Sequence, residues 1–302
     1  MTKDDGHTEN LIPDARAVLD LDDKARVNYI RQEKWIPYTR ANEILASLEE
    51  LLITPKKSRM PSMLIVGDSN NGKSSIAQEF LRRHPPTNGI ESDAYPVIWI
   101  EAPNTPDEGR LYNNILKHLL VPFKYKDMPS KKEHEVDYYF QKLGTRMLII
   151  DDIHNILSGP VTKQRIFMNA LKTLNDRLYI PIVLLGIETA LVAVATDKQM
   201  SSRFPPVALP KWKLNENYGS LLASIEMILP LRKASNLTTS EDMVLKILEL
   251  SEGFIGDIVE LTNTAAIYAI QTGIERITPK VISDCGYIKP SQRSIVVSLE
   301  IA

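Results

Sequence analysis

Eight residues, Gly67-Asp68-Ser69-Asn70-Asn71-Gly72-Lys73-Ser74, fit the pattern G-x-x-x-x-G-K-[ST]; they follow directly on the apolar run 63–66, and Ser75 completes the loop. A loop that wraps phosphate oxygens must turn several backbone N–H groups inward, and it needs glycine wherever a Cβ would block the approach. In this pattern the lysine meets the β and γ phosphates, and the hydroxyl after it can hold Mg²⁺. Lys73 and Ser74 occupy those places, so the ligands implied are ATP and Mg²⁺. Ile76, Phe80 and Leu81 then recur at helical spacing. That spacing puts a helix N-terminus, with its positive end, at the phosphate site.

A second constellation closes the apolar run 147–150 with two acids, Asp151 and Asp152. The first acid of such a pair is expected beside the phosphate loop, holding Mg²⁺ together with Ser74, while the second orients an attacking water. Lys73 and Asp152 are therefore the catalytic candidates within one chain. ATPases of this kind usually carry Glu at the second place, and Asp152 is one methylene shorter, which predicts slow turnover. Arg203, in Ser201-Ser202-Arg203-Phe204, precedes the run 207–209. In ring-forming ATPases an arginine at this place reaches, in trans, the γ-phosphate bound by the neighbouring subunit; the alternative is a solvated loop arginine with Phe204 packed beneath it. After the run 181–185, Gly186-Ile187-Glu188-Thr189 stands where a polar side chain usually senses the γ-phosphate. Ile187 holds the usual position, leaving Glu188 and Thr189 as the sensor candidates. By analogy with segments that precede the core in related ATPases, Trp35 and Tyr38, around Ile36-Pro37, offer an adenine-stacking surface, and a hydrophobic anchor for the leader helices explains them equally well.

These residues need a scaffold. Apolar runs at 63–66, 96–100, 146–150, 181–185 and 207–209 alternate mostly with helical patterns, which predicts an α/β fold with a five-stranded parallel sheet and helices on both faces. The periodicity predicts helices over 22–35 and 39–53, the latter with Ile44, Leu48, Leu51 and Leu52 on one stripe. From residue 216 onward only helical patterns follow, and Thr278-Pro279 reads as an N-cap with Pro in the first turn. The expected organisation is a flexible leader (1–20), N-terminal helices (21–58), a nucleotide-binding domain (59–212), a helical lid (213–285) and a tail (286–302). Within the lid, Glu252-Gly253-Phe254-Ile255-Gly256-Asp257 has the spacing of a turn that faces nucleotide, but Asp257, Ile258 and Val259 stand where an arginine often follows.

Composition narrows the classes. With 43% hydrophobic and 25% charged residues over 302 positions, the chain reads as an ordinary globular protein with room for two domains. A single cysteine, Cys285, and five scattered His exclude an internal disulfide and the Cys-rich zinc modules. This suits a reducing cytoplasm. Residues 1–10 hold no apolar signal region, and the run 180–187 is too short to span a bilayer, so no membrane partner is expected. The net charge of −2 argues against a surface that is basic throughout, yet leaves a local basic strip open.

In Trp35-Ile36-Pro37-Tyr38, Arg59-Met60-Pro61, the phosphate loop, Asp151-Asp152-Ile153-His154, Arg203-Phe204 and Ala208-Leu209-Pro210-Lys211-Trp212, the chain resembles the TniB-type AAA+ ATPases, which help bacterial DNA transposition. The likeness covers about residues 25–285. It implies a bacterial protein that binds ATP, forms a homo-oligomer (ring or filament) on double-stranded target DNA, and presents that DNA to a DDE transposase. Related filaments turn the insertion between the second and third strands towards the pore. The resemblance therefore makes Lys124, Lys126, Lys131 and Lys132 the candidate DNA contacts, although a charge run of this kind is commonly only a solvated face. Two other readings stay open: a helicase-loader or replication-initiation ATPase, and an ATP-switched scaffold with negligible hydrolysis. An initiator commonly adds a winged-helix domain, for which the residues after the lid leave no room; a small-molecule kinase fits the helical lid and Arg203 poorly.

Overall fold

The computed structural model describes residues 5–88, 93–195 and 198–293. Its centre is a parallel sheet of β1 (Met63–Val66), β4 (Val97–Glu101), β5 (Met147–Asp151), β6 (Ile182–Gly186) and β7 (Pro206–Ala208), ordered β4-β5-β6-β1-β7. A separate two-stranded ribbon, β2 (Thr87–Asn88) with β3 (Asp93–Ala94), makes up the numbering. Strands β5 and β6 are buried at every position, as apolar runs covered on both faces should be. The register places Val66 opposite Gly186 and Glu101 opposite Asp151, which aligns the ends of β1, β4, β5 and β6 along one edge. A small all-helical lid domain follows the sheet.

The described residues group into two units, residues 40–210 and residues up to 39 joined with those from 211. In the first unit, α5 (Lys73–Arg83), α6 (Glu108–His118), α7 (Pro129–Lys142) and α8 (Val161–Leu178) flank the sheet, and the short α9 (Ala190–Ala195) and α10 (Lys198–Arg203) come between β6 and β7 in the chain. The core runs from Leu111, Ile115 and Leu116 on α6 through Leu148 and Ile150 on β5 to Phe167 and Leu171 on α8. The helix α4 (Thr39–Ile53) buries Ile44, Leu48, Leu51 and Leu52, the stripe read from the sequence.

The second unit holds α3 (Asp23–Arg31), α11 (Glu216–Ile228), α12 (Glu241–Ser251), α13 (Ile255–Gln271) and α14 (Pro279–Asp284). The Thr278 side chain accepts from the Val281 N–H, with Pro279 opening α14 as the sequence predicts. Residues 21–58 do not stay together: α3 belongs with the helical unit and nearly all of α4 with the sheet. The Arg26 guanidinium, fully buried, ties α3 to Glu275 through two bonds of 2.7 and 2.8 Å.

The segment expected as a loose leader carries two short helices, α1 (Asp5–Asn10) and α2 (Pro13–Leu19). Leu11, Ala15 and Leu19, spaced by four, form one buried stripe with Tyr29, and the Ile12 N–H bonds the Met227 carbonyl at 3.0 Å. That stripe was overlooked because the polar residues around it dominate the composition. Residues 1–4 of the leader and 294–302 of the tail lie outside the described residues. Among the described residues no helix is long and apolar enough to cross a membrane.

Candidate nucleotide site

The phosphate loop leaves β1 and enters α5. Asn70 (φ 60) and Gly72 (φ 86) adopt left-handed backbone, a conformation cheap for Gly and tolerated by Asn. At Gly67 any Cβ would lie 2.7 Å from the Leu209 carbonyl oxygen, so the loop can leave the sheet there only without a side chain. Gly72 caps α5 and supplies no side-chain acceptor. The first N–H groups of an α-helix have no partner within the helix, and here the residue at the cap cannot serve them either. The loop thus keeps anion-binding capacity at the head of an 11-residue helix.

Lys73 is buried, and its Nζ donates to the Gly67 and Asp68 carbonyls at 2.8 Å each. Burial pulls its pKa below the ordinary lysine range, while Asp151, Asp152 and Asp68 act in the opposite sense. A phosphate would satisfy the same ammonium. The Ser74 hydroxyl donates to Asp151 Oδ2 at 2.6 Å, and the Asp152 N–H donates to Asp151 Oδ1 at 2.8 Å. Asp151 is itself buried. A hydroxyl and a buried carboxylate, both hard oxygen donors, suit Mg²⁺, so the residues present fit the pair ATP and Mg²⁺. Between β1 and β5 lies β6; the Ser74–Asp151 bond spans that intervening strand.

Asp152 has φ 53 and a side chain about half exposed, 3.9 Å from His154 Nδ1. This left-handed backbone gives a physical reason for Asp where Glu is usual, because short polar side chains tolerate the region best. Glu188 and Thr189 are exposed in the turn after β6, whose last residue, Gly186, accepts from the Gly67 N–H at 3.1 Å. The remaining loop residues, Asp68, Ser69, Ser74 and Ser75, are exposed.

The sequence places Asn71 among the nucleotide-binding residues of the phosphate loop. The structure buries it, with Nδ2 donating to the Leu209 and Pro210 carbonyls at 2.6 and 3.0 Å. It tethers the loop to the chain leaving β7. No sequence spacing reveals this, since its partners are main-chain oxygens some 140 positions away in the chain.

Three expectations change. Arg203 is not a free guanidinium: it grips Asp176 on α8 through bonds of 2.5 and 2.9 Å and Asn175 at 2.8 Å, with its side chain only 10% exposed. Two of the four candidate DNA lysines are also committed. Lys132 is 2% exposed and donates to the Tyr125 carbonyl, and Lys131 pairs with Asp127 at 2.8 Å. Lys124 and Lys126 remain exposed. Tyr38 is buried, edge-on to Trp212 at 5.2 Å between ring centroids, while Trp35 is half-buried. For Tyr38 that geometry fits the hydrophobic anchor better than an open stacking surface. In the helical unit, Asp257 is buried and accepts from the Tyr287 hydroxyl at 3.0 Å and from Arg293 at 2.5 Å.

A phosphate loop on β1, paired acids on β5 and a five-stranded parallel sheet followed by a helical lid define an ATPase of the AAA+ class. The family model described as "Bacterial TniB protein" matches residues 26–214, more than half of the chain. The chain belongs to that family. No curated protein sequence is a significant match. Among solved structures, Cdc6p from Pyrobaculum aerophilum is similar with a TM-score of 0.62 at 14% identity, over 85% of this chain and 70% of that one. Orc1 from Aeropyrum pernix, solved in complex with DNA, gives 0.58 at 15% identity, over 85% and 68%. The Thermotoga maritima RuvB Holliday-junction branch-migration motor gives 0.52 at 12% identity, over 90% and 79%. At these identities the likeness is one of fold.

Proposed function

We propose that this protein is an ATP-dependent helper of DNA transposition, which assembles on target duplex DNA and delivers it to a DDE transposase. The observation that carries the reading is the bond of 2.6 Å between Ser74 and Asp151 beside the buried Lys73, in a chain of the TniB family. Residues 59–212 would form the nucleotide-binding domain and residues 213–285 its lid.

In this reading the triphosphate is the substrate. The α5 N-terminus and Lys73 meet its negative charge, and Ser74 and Asp151 would hold Mg²⁺, which when bound neutralises charge on the β and γ oxygens. Asp152 orients the water that attacks the γ-phosphorus. Arg203 completes the site of a neighbouring subunit, which requires its pairing with Asp176 to open on assembly. Head-to-tail contacts of this type close into rings or continue as filaments, and a filament can follow duplex DNA through its phosphates with little sequence preference.

A second reading, an ATP-switched scaffold with negligible hydrolysis, has one observation in its favour: the short, left-handed Asp152 together with a tied-down Arg203. Phosphate release measured with and without duplex DNA separates the two. Stimulation by DNA that vanishes in Asp152→Asn supports the helper ATPase. Nucleotide-dependent assembly with no release above background supports the scaffold.

A further inference from the structure

Two of the insertion's four lysines are spoken for, and a different basic face stands beside them. On α6, Arg110, Asn113, Asn114 and Lys117 recur at i, i+3, i+4 and i+7, so they share one face. The opposite face, Leu111, Ile115 and Leu116, is fully buried in the core. The polar face lines a cavity of about 470 Å³ beside the end of β4, with Tyr125 across it. Tyr125 is 77% exposed, its ring edge-on to Phe123 at 5.1 Å between centroids. Arg110 and Lys117 are exposed, and neither forms an ion pair among the described residues.

Asn113 distinguishes this cavity from an ordinary solvated groove. It is 9% exposed, and its Oδ1 is buried with no hydrogen-bond partner. A buried acceptor left unmatched costs about 1–3 kcal/mol, so rotation of the Asn113 amide towards a donor on a ligand in the cavity it lines is favoured. A phosphate brings none. It offers no flat face to Tyr125 either. A nucleobase supplies both, through a ring N–H or amino group on its edge and a π-surface that stacks on an aromatic ring.

The two cations fit the strand on either side of such a base. Seven helical residues span about 10.5 Å, a separation that two long, flexible side chains can narrow to reach the phosphates on its two sides. Glu101 lines the cavity as well, and its carbonyl accepts from the Asn114 side chain at 3.0 Å.

We propose that this cavity receives one unpaired nucleotide of the bound DNA, its base held by Asn113 and Tyr125 and its flanking phosphates by Arg110 and Lys117. The proposal rests on the reading that the chain binds DNA. It predicts that the protein prefers a duplex carrying an extruded base to a perfectly paired one.

The test uses full-length protein with ATP and Mg²⁺ and three fluorescein-labelled duplexes of one sequence, read by anisotropy. One is fully paired, one carries a single bulged adenine, and one carries a bulged abasic sugar that bends as easily but has no base. The wild type should bind the adenine bulge at least fivefold more tightly than the abasic one. Tyr125→Ala, at an exposed position that the fold does not need, should erase that difference, a loss of roughly five- to hundredfold. Arg110→Ala combined with Lys117→Ala should weaken all three and make the slope against log salt shallower by about 2. Equal binding of the adenine and abasic bulges, or a preference that survives Tyr125→Ala, overturns the proposal while leaving duplex binding intact. Failure to bind any of the three duplexes overturns the DNA reading itself, and the proposal with it.

Discussion

Arg203 offers the sharpest test of coupling between assembly and hydrolysis, through its partner Asp176. The pair is bidentate, at 2.5 and 2.9 Å, with the Arg203 side chain 10% and that of Asp176 36% exposed. An exposed ion pair contributes about 0–1 kcal/mol and a hydrogen bond to a charged group about 1.5–3 kcal/mol. This half-buried pair falls between, at about 1.5 kcal/mol. Asp176→Asn keeps the shape and removes the charge, so it should free the guanidinium by that amount, close to a tenfold rise in its open population. Two effects of opposite sign follow. The isolated chain should melt a few degrees lower. Phosphate release at limiting protein concentration, with duplex DNA present, should rise by up to about tenfold. Arg203→Ala, measured beside it, should abolish release while nucleotide still binds. If Asp176→Asn instead falls to the Arg203→Ala level, the pair is part of the working site and not a restraint on a trans-acting arginine.

The other predictions concern the nucleotide site. Asp152→Glu should speed ATP hydrolysis at saturating ATP by lengthening the water-orienting arm, and should lower stability by about 1 kcal/mol because of the left-handed backbone; an unchanged or lower kcat counts against the assigned role. Asn71→Ala removes the donor shared by the Leu209 and Pro210 carbonyls, which should cost about 1–3 kcal/mol of stability by thermal melt and weaken nucleotide binding. Because burial lowers the Lys73 pKa, the unfolded chain binds the Lys73 proton more firmly than the folded one. Stability without nucleotide should therefore rise with pH just below the ordinary lysine range. Bound ATP should remove that rise, since a triphosphate favours the charged lysine. Melting curves against pH for wild type and Lys73→Met check this, and an identical slope in both refutes it.

The geometry of the candidate site was legible where chemistry dictates residue type at fixed spacing. Gly67 and Gly72 stand where a Cβ or a right-handed backbone is forbidden, and Asp151 ends a strand whose apolar run announces it. The strands β1, β4, β5 and β6 were legible because short, mostly buried runs have few other uses. What the sequence hid are pairings across distance. Arg203 and Asp176 are 27 positions apart, on different helices, and no local pattern links them. Lys132 reads as part of a charge run, yet its amine turns back to cap the Tyr125 carbonyl. The basic face of α6 was missed because Arg110 and Lys117 are two turns apart, and proximity along a helix does not show as proximity along the chain. The leader helices escaped because one stripe of three apolar residues carries them.

The central claim is that Lys73, Ser74 and Asp151 grip a triphosphate whose site is finished by a second copy of the chain. Mass photometry of the purified protein measures this directly, with Mg²⁺ plus ATP, ADP or no nucleotide, each with and without long duplex DNA. The account predicts multimers with ATP and duplex, and monomers for Lys73→Ala under the same conditions. Monomers in every condition, or multimers that form equally well without nucleotide, contradict it.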